Sequence, residues 1–153
     1  MVRLADLPAH LAERYATAKC PEFETTPIAK GPKLGERRVA IVSSAGLNRR
    51  HQPRFIGSDK DYRAIPSATD RSDILTSHVS LGFDRTAFQQ DLNSVFPIDR
   101  LRDLAKEGFI GSVAETHYSF MGGGTPEGME PFAQKVAHHL QADKVTAVVL
   151  IPV

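Results

Sequence analysis

Apolar positions recur along this chain with two different periods, and the alternation between them predicts its elements. Leu4, Leu7, Leu11 and Tyr15 step by three and four residues, the spacing of one helical face. Pro8 falls in the first turn of that helix, where a missing amide donor costs little. From Cys20 to Glu36 the chain carries Pro21, Pro27, Gly31, Pro32 and Gly35 with no periodicity, as a loop would. Arg38 to Ser43 (RVAIVS) is a continuous apolar run leading into Ser43-Ser44-Ala45-Gly46, which predicts a buried central strand with both faces covered.

Residues 47–72 are polar and punctuated by proline, and no element is predicted there; a loop of that length in a compact domain suggests a functional segment. Ile74 to Leu81 (ILTSHVSL) predicts a second strand. Pro97 to Gly108 (PIDRLRDLAKEG) predicts a helix that opens on proline, buries Ile98, Leu101, Leu104 and Ala105, and stops at glycine. Gly111 to Ser119 (GSVAETHYS) predicts a strand, followed by the turn Met121-Gly122-Gly123-Gly124. A helix over Glu127 to Gln141, burying Met129, Phe132, Val136 and Leu140, and a strongly apolar strand over Val145 to Val153 (VTAVVLIPV) complete the reading.

Helices alternating with short apolar strands imply an α/β fold: a single domain over residues 1–153, a Rossmann-like three-layer sandwich with a largely parallel sheet. A buried parallel strand with no helix after it leaves part of one sheet face bare. The expectation is that a last helix is missing or that a partner covers the face, and that the chain self-associates into dimers or larger species through Val145, Val148, Val149, Leu150 and Ile151.

Composition adds mainly exclusions. A chain of 153 residues with 41% hydrophobic and 24% charged residues is an ordinary one-domain globular chain. Its 19 basic and 18 acidic residues nearly cancel, which offers nucleic acid or an anionic membrane surface no attracting field. The basic stretch Asn48-Arg49-Arg50-His51 reads as a solvated loop before it reads as a phosphate contact. No apolar run reaches the roughly 18 residues of a bilayer span, and the charged N-terminus lacks a secretory pattern, so a cytoplasmic location is expected. Cys20 is the single cysteine, which excludes an internal disulfide or a cysteine-rich zinc site; beside proline in a loop and with no charged activator in a recognisable motif, it reads as passive.

Familiar ligand motifs are absent. Gly122-Gly123-Gly124 lacks the third glycine of a dinucleotide fingerprint and a following lysine, so it reads as a tight turn. Ser43 and Ser44 follow the first central strand, where α/β folds place ligands; a hydroxyl pair there suits either a carboxylate or simple turn formation. Adjacent His138 and His139 point apart on a helix and cannot share a metal, so they read as surface residues. His78, beside Ser77, and His117, near Ser119, fall at strand ends between hydroxyl residues and are candidates to face one cleft. Phe83 to Leu101 crowds Arg85, Asp91, Asn93 and Asp99 among aromatic residues, which requires a paired polar network.

Those same residues carry a family resemblance. The run from Ser77 to Gly122 contains, in order, an FDR element, the block DLNSVFPIDRL and the block GFIGSVAETHYSFMG. In that order and spacing they resemble the selenoprotein B family of glycine, betaine, sarcosine and D-proline reductases, with weaker likeness before Arg38. The resemblance implies a component of a reductase that cleaves a carbon–nitrogen bond beside a carboxylate. It implies a partner subunit whose pyruvoyl carbonyl captures the substrate amine, and no cofactor bound by this chain itself. It further implies a selenocysteine or cysteine immediately after the strand matching VTAVVLIPV, just beyond Val153, whose selenolate attacks the activated α-carbon. A selenol ionises at neutral pH without the help a thiol near pKa ~8.5 needs. Because selenocysteine is encoded by UGA, a truncated reading of a longer selenoprotein is the simplest expectation.

No catalytic residue is then expected within the chain. Ser77, His78, Arg85, Asp91, Asn93, His117 and Ser119 are the expected substrate-binding and supporting residues, and no metal ligands are expected. The rival reading is a non-catalytic interaction or scaffold subunit of such a reductase. A small nucleotide-binding protein, resting on the glycine turn alone, ranks last.

Overall fold

A computed structural model describes residues 3–18, 22, 29–80 and 83–153. Its centre is strand β1 (Arg38–Ser43), the apolar run, with Val39, Ala40 and Ile41 buried. On one side β1 pairs in parallel with β5 (Ser112–Val113) and β6 (Thr116–Phe120), and on the other with β7 (Ala147–Ile151). β3 (Tyr62–Pro66) runs antiparallel along the outer side of β6, so the sheet is largely but not wholly parallel. β2 (Leu47–Arg49) and β4 (Ile74–Thr76) form a separate antiparallel pair.

Side chains alternate across β1 and divide the core in two. Val39 and Ile41 face one cluster with Leu92, Phe96, Ile98 and Leu101, the last two supplied by helix α3 (Ile98–Lys106), which follows the short helix α2 (Thr86–Gln90). Val42 faces the other, with Tyr118, Phe120 and Val136, beneath helix α4 (Pro126–Ala142). A helix therefore covers each face of the sheet, as the sequence predicts. α3 ends where expected: Gly108 adopts φ +74, and the Phe109 N–H reaches back to the Leu104 carbonyl at 2.9 Å. α4 opens on Thr125, whose hydroxyl caps the Gly128 N–H.

Four expectations change. Residues 47–72 hold β2 and β3 rather than a long loop: β3 (YRAIP) is a short edge strand, where Pro66 sits at its end without breaking a ladder. The predicted strand over Ile74 to Leu81 stops at Thr76: the Ser77 N–H still reaches the Gly46 carbonyl, but from His78 onward the side chains of Thr76, His78 and Arg85, not a partner strand, meet the backbone; Leu81 itself lies outside the described residues. The predicted strand over Gly111 to Ser119 is split in two at residues 114–115. The N-terminal helix α1 (Ala9–Ala16) is shorter than predicted and buries none of its residues. The loop expectation near Cys20, and that residue itself, lie outside the described residues.

β7 also behaves differently from a uniformly exposed patch. Ala147, Val149 and Ile151 pack against the core, whereas Val148 and Leu150 point to the opposite face beyond the reach of α4, with Leu150 71% exposed.

Candidate functional site

In an open sheet with helices on both faces, the crevice at the carboxyl ends of the strands is where ligands bind. Here three strands deliver their outgoing loops to one place. The turn after β1 is fixed from both sides: the Ser44 N–H donates to the Ile151 carbonyl of β7 at 3.0 Å, and the Gly46 N–H to the Phe120 carbonyl of β6 at 2.9 Å. The Ser44 hydroxyl accepts the Val153 N–H at 2.8 Å and lies 3.4 Å from the Val153 carbonyl, to which it donates. From the β6 side, Gly122 adopts φ +81 and packs so closely on Ser44 that a Cβ at this position would stand 2.9 Å from the Ser44 Cβ. Beside these loops lies a hollow of about 330 Å³ with mostly apolar walls, among them Val42, Phe120, Leu150, Ile151 and Pro152, and Ser43 and Ser44 at its polar end.

The seven residues singled out from the sequence do not line that hollow; Ser77, His78, Arg85 and Ser119 hold the loop after β1 from behind, and the other three lie elsewhere. Ser77 donates its hydroxyl to the Asn48 side-chain carbonyl and accepts the Phe55 N–H, both at 2.8 Å, while its own N–H reaches the Gly46 carbonyl. His78 backs directly onto Gly46, whose missing side chain makes room for it: a Cβ on Gly46 would be 2.9 Å from the His78 Cα. The His78 Nδ1 accepts the Ser80 N–H, and its ring lies 4.9 Å from that of Phe83. Arg85 donates to the backbone carbonyls of His78, Ser80 and Phe83, which accounts for the FDR element as a clasp on this segment. Burial and then the Arg85 charge hold the His78 imidazolium pKa below its ordinary value. Ser119 accepts the Leu47 N–H at 2.8 Å and donates to the Ser43 carbonyl at 3.1 Å. Ser77, His78 and Ser119 thus surround the turn from Ala45 to Leu47.

His117 sits apart from that turn, fully buried against the face of the sheet under Phe96, with the two rings edge to face at 5.4 Å. Asp91 and Asn93 form a third group. Asp91 caps a 3-10 turn, Leu92–Ser94, through the Asn93 N–H and pairs with Arg71 at 3.2 Å. Asn93 donates to both Asp91 and Asp99 and accepts the Asp99 N–H, joining that turn to the start of α3. The hydrogen bonds of Asn93 and then the Arg71 charge keep the Asp91 carboxyl below the usual carboxylate range.

Elsewhere, Arg49, Arg50 and His51 line a hollow of about 400 Å³ with Asp70 and Asp73, where Arg50 pairs with Asp73 at 3.2 Å, so these three are solvated as expected, but Asn48 is not part of a loop: it is fully buried in β2. His139 is exposed as predicted, but its Nε2 lies 3.0 Å from the Tyr62 hydroxyl. Among the described residues no group of three His, Cys, Asp or Glu is placed to hold a metal ion, and no helix is long and apolar enough to cross a membrane.

Ser44, Gly122 and Pro152 are what sequence reasoning left unassigned as a group. Their only signal was position: each follows an apolar strand, but nothing in the one-dimensional pattern says that the three strand ends adjoin.

Comparison with known proteins gives this arrangement a family. A family model described as glycine/sarcosine/betaine reductase selenoprotein B matches residues 10–152. The chain belongs to that family. It is 37% identical over 128 residues to D-proline reductase subunit gamma of Acetoanaerobium sticklandii, covering 82% of this chain and 51% of the relative. It is 32% identical over 145 residues to the glycine reductase complex component B subunit gamma of Peptoclostridium acidaminophilum, covering 90% of this chain and 33% of that protein. The sarcosine reductase complex component B subunit beta of the same organism is 33% identical over 139 residues, covering 85% of this chain and 31% of the relative. The chain therefore spans 31% to 51% of the length of these relatives. No solved structure gives a significant match. Selenoprotein B relatives are thus components of multi-subunit reductase complexes, and the blocks that carry the resemblance are here the DLN–Asp99 network, the β5–β6 segment and the loop that ends at Gly122.

Proposed function

We propose that this chain is the part of a selenoprotein B-type reductase component that builds the sheet-edge crevice for reductive cleavage of a carbon–nitrogen bond beside a carboxylate, in substrates of the glycine, betaine, sarcosine or D-proline type. The observation that carries the proposal is the convergence of the β1, β6 and β7 loops on Ser44, which binds Val153, the residue after which the family resemblance puts the redox residue. Nothing within the described residues is a ready nucleophile of the required kind, and in this reading the selenocysteine or cysteine follows Val153 in the longer protein. A pyruvoyl carbonyl on a partner subunit would supply the electron sink that eases departure of the amine.

This chain's own residues shape the environment. The apolar walls at Phe120, Leu150 and Pro152 offer a partner subunit a surface beside the emerging chain from which docking would displace water, which would strengthen the charge interactions made there. Ser77, His78, Arg85 and Ser119 keep the β1–β2 turn in place, while Asp91, Asn93 and His117 fix the layer beneath it. The redox chemistry suits a reducing, cytoplasmic setting.

The second reading, a non-catalytic docking subunit of such a complex, is favoured by the exposed Val148 and Leu150 on β7. The genomic DNA separates the two. A TGA codon after Val153, followed in frame by coding sequence, supports the catalytic reading; TAA or TAG there leaves only the docking subunit. Co-expression of the full reading frame with the partner subunits, assayed for reduction of glycine, sarcosine, betaine and D-proline, identifies the substrate.

A further inference from the structure

We propose that Ser44 is a positioning residue: its hydroxyl holds the backbone of Val153 and so sets the direction in which the next residue of the longer protein leaves β7. The inference rests on the catalytic reading above, and it assigns to Ser44 a task that turn formation does not require.

Three successive residues at the end of β7 are immobilised by three different means. Ile151 is the last ladder residue, opposite Ser43, and its carbonyl accepts the Ser44 N–H. Pro152 has its φ fixed by the pyrrolidine ring and restricts the residue before it. Val153 lies beyond the ladder of β7, and both its N–H and its carbonyl meet the Ser44 hydroxyl. One hydroxyl can accept and donate at once, which is why serine or threonine, and not alanine, suits this position.

The glycine turn after β6 completes the device. Gly122 is at φ +81 and its bare Cα abuts the Ser44 side chain; a Cβ would meet the Ser44 Cβ at 2.9 Å and its carbonyl oxygen at 3.1 Å. The loop thereby presses on Ser44 from the side opposite β7 and limits its freedom to swing. The clamp lies at one end of the apolar hollow walled by Phe120, Leu150 and Pro152, so the residue that follows Val153 starts beside it. For a reaction that needs its attacking atom aligned with a partner-held substrate, a misplacement of about 1 Å costs on the order of a hundredfold in rate.

The test uses the full-length gene product with its partner subunits, as Ser44→Ala, Ser44→Thr and wild type. Hydrogen exchange at the Val153 amide, the pH profile of alkylation of the following residue by iodoacetamide, and reductase turnover are measured on each. Expected are exchange about tenfold faster in Ser44→Ala, an altered alkylation profile, turnover reduced by about tenfold or more, an unchanged melting midpoint, and recovery of all three readouts in Ser44→Thr. Unchanged exchange at Val153 overturns the clamp. Faster exchange with unchanged turnover and alkylation overturns the positioning role while leaving the catalytic reading intact. If Ser44→Ala lowers the melting midpoint as well, Gly122→Ala, which displaces Ser44 without removing its hydroxyl, decides: wild-type turnover in that variant overturns the proposal. A gene with no selenocysteine or cysteine codon after Val153 removes the catalytic reading and the proposal with it.

Discussion

The Nδ1 of His117 accepts the backbone N–H of Ile41 at 3.0 Å, and this bond stands where the sheet ladder is interrupted. β1 pairs with its neighbour at an offset of 74 residues between Arg38 and Ser112, but of 76 between Val42 and Tyr118. Two extra residues on the β5–β6 side thus bulge away from β1 and leave a donor in the middle of the core without a strand partner. The imidazole takes the place of the missing carbonyl. Since Nδ1 accepts, the neutral ring carries its proton on Nε2, which meets no hydrogen-bond acceptor among the described residues.

Burial, and then the charge of Arg102, hold the His117 pKa at about 4 against an ordinary 6.5. Between these values the unfolded chain binds more protons than the folded one, so stability is full above pH 6.5 and falls as the pH drops toward 4. At roughly 1.4 kcal/mol per pH unit the loss is about 3 kcal/mol. His78, whose pKa is also lowered, contributes in the same direction. Urea titrations across this range should show the slope, and His117→Gln, which keeps an acceptor for Ile41 but does not titrate, should flatten it. His117→Ala should lower stability at pH 7 by about 2–4 kcal/mol, through the unpaired Ile41 donor and the cavity together.

Gly46 and Gly108 both adopt positive φ but differ in surroundings. A Cβ on Gly46 would stand 2.9 Å from the backbone N and Cα of His78, whereas one on Gly108 meets nothing within 4 Å. Gly108→Ala should therefore cost only conformational strain, about 1–2 kcal/mol, and Gly46→Ala clearly more, with loss of the Ser77–Gly46 contact. Thermal melts of the two variants side by side test this; equal effects would mean the Gly46 packing is unimportant.

Asn93 places its amide between two carboxylates, 2.9 Å from Asp91 and 3.1 Å from Asp99. Asn93→Asp substitutes a third carboxylate for the donor. It should destabilise the protein by about 1–3 kcal/mol at pH 7. Relative to wild type the loss should shrink at about pH 4, where carboxylates protonate. A pH-independent difference would show that the network is held by shape alone.

Neighbours on β7 should respond oppositely to the same change. Val149 packs against the core and Leu150 is 71% exposed. Val149→Ser should cost about 2 kcal/mol or more. Leu150→Ser should alter stability by no more than about 0.5 kcal/mol, yet reduce binding of an apolar dye and any self-association seen by light scattering.

The sequence by itself determined the elements whose signals are local. RVAIVS had no way to be satisfied except as a strand covered on both faces, PIDRLRDLAKEG carried its own start and stop, and the periodic apolar positions of α4 named the residues it buries. The three linked blocks were enough to identify the family. β3 escaped notice because a short edge strand buries little and keeps only a weak alternation. What tertiary structure alone decided is where strand ends meet and what each polar residue is for. His117 reads in sequence like a cleft histidine beside hydroxyls, and only the two-residue jump in register, a relationship between positions 76 residues apart, makes it a substitute for a backbone carbonyl. Ser44 reads as a turn residue, and becomes a clamp only because β7 returns, more than a hundred residues later, to lie against β1. Local pattern fixes which groups are apolar or polar; which donor meets which acceptor is set by chain segments that approach each other only in the folded sheet.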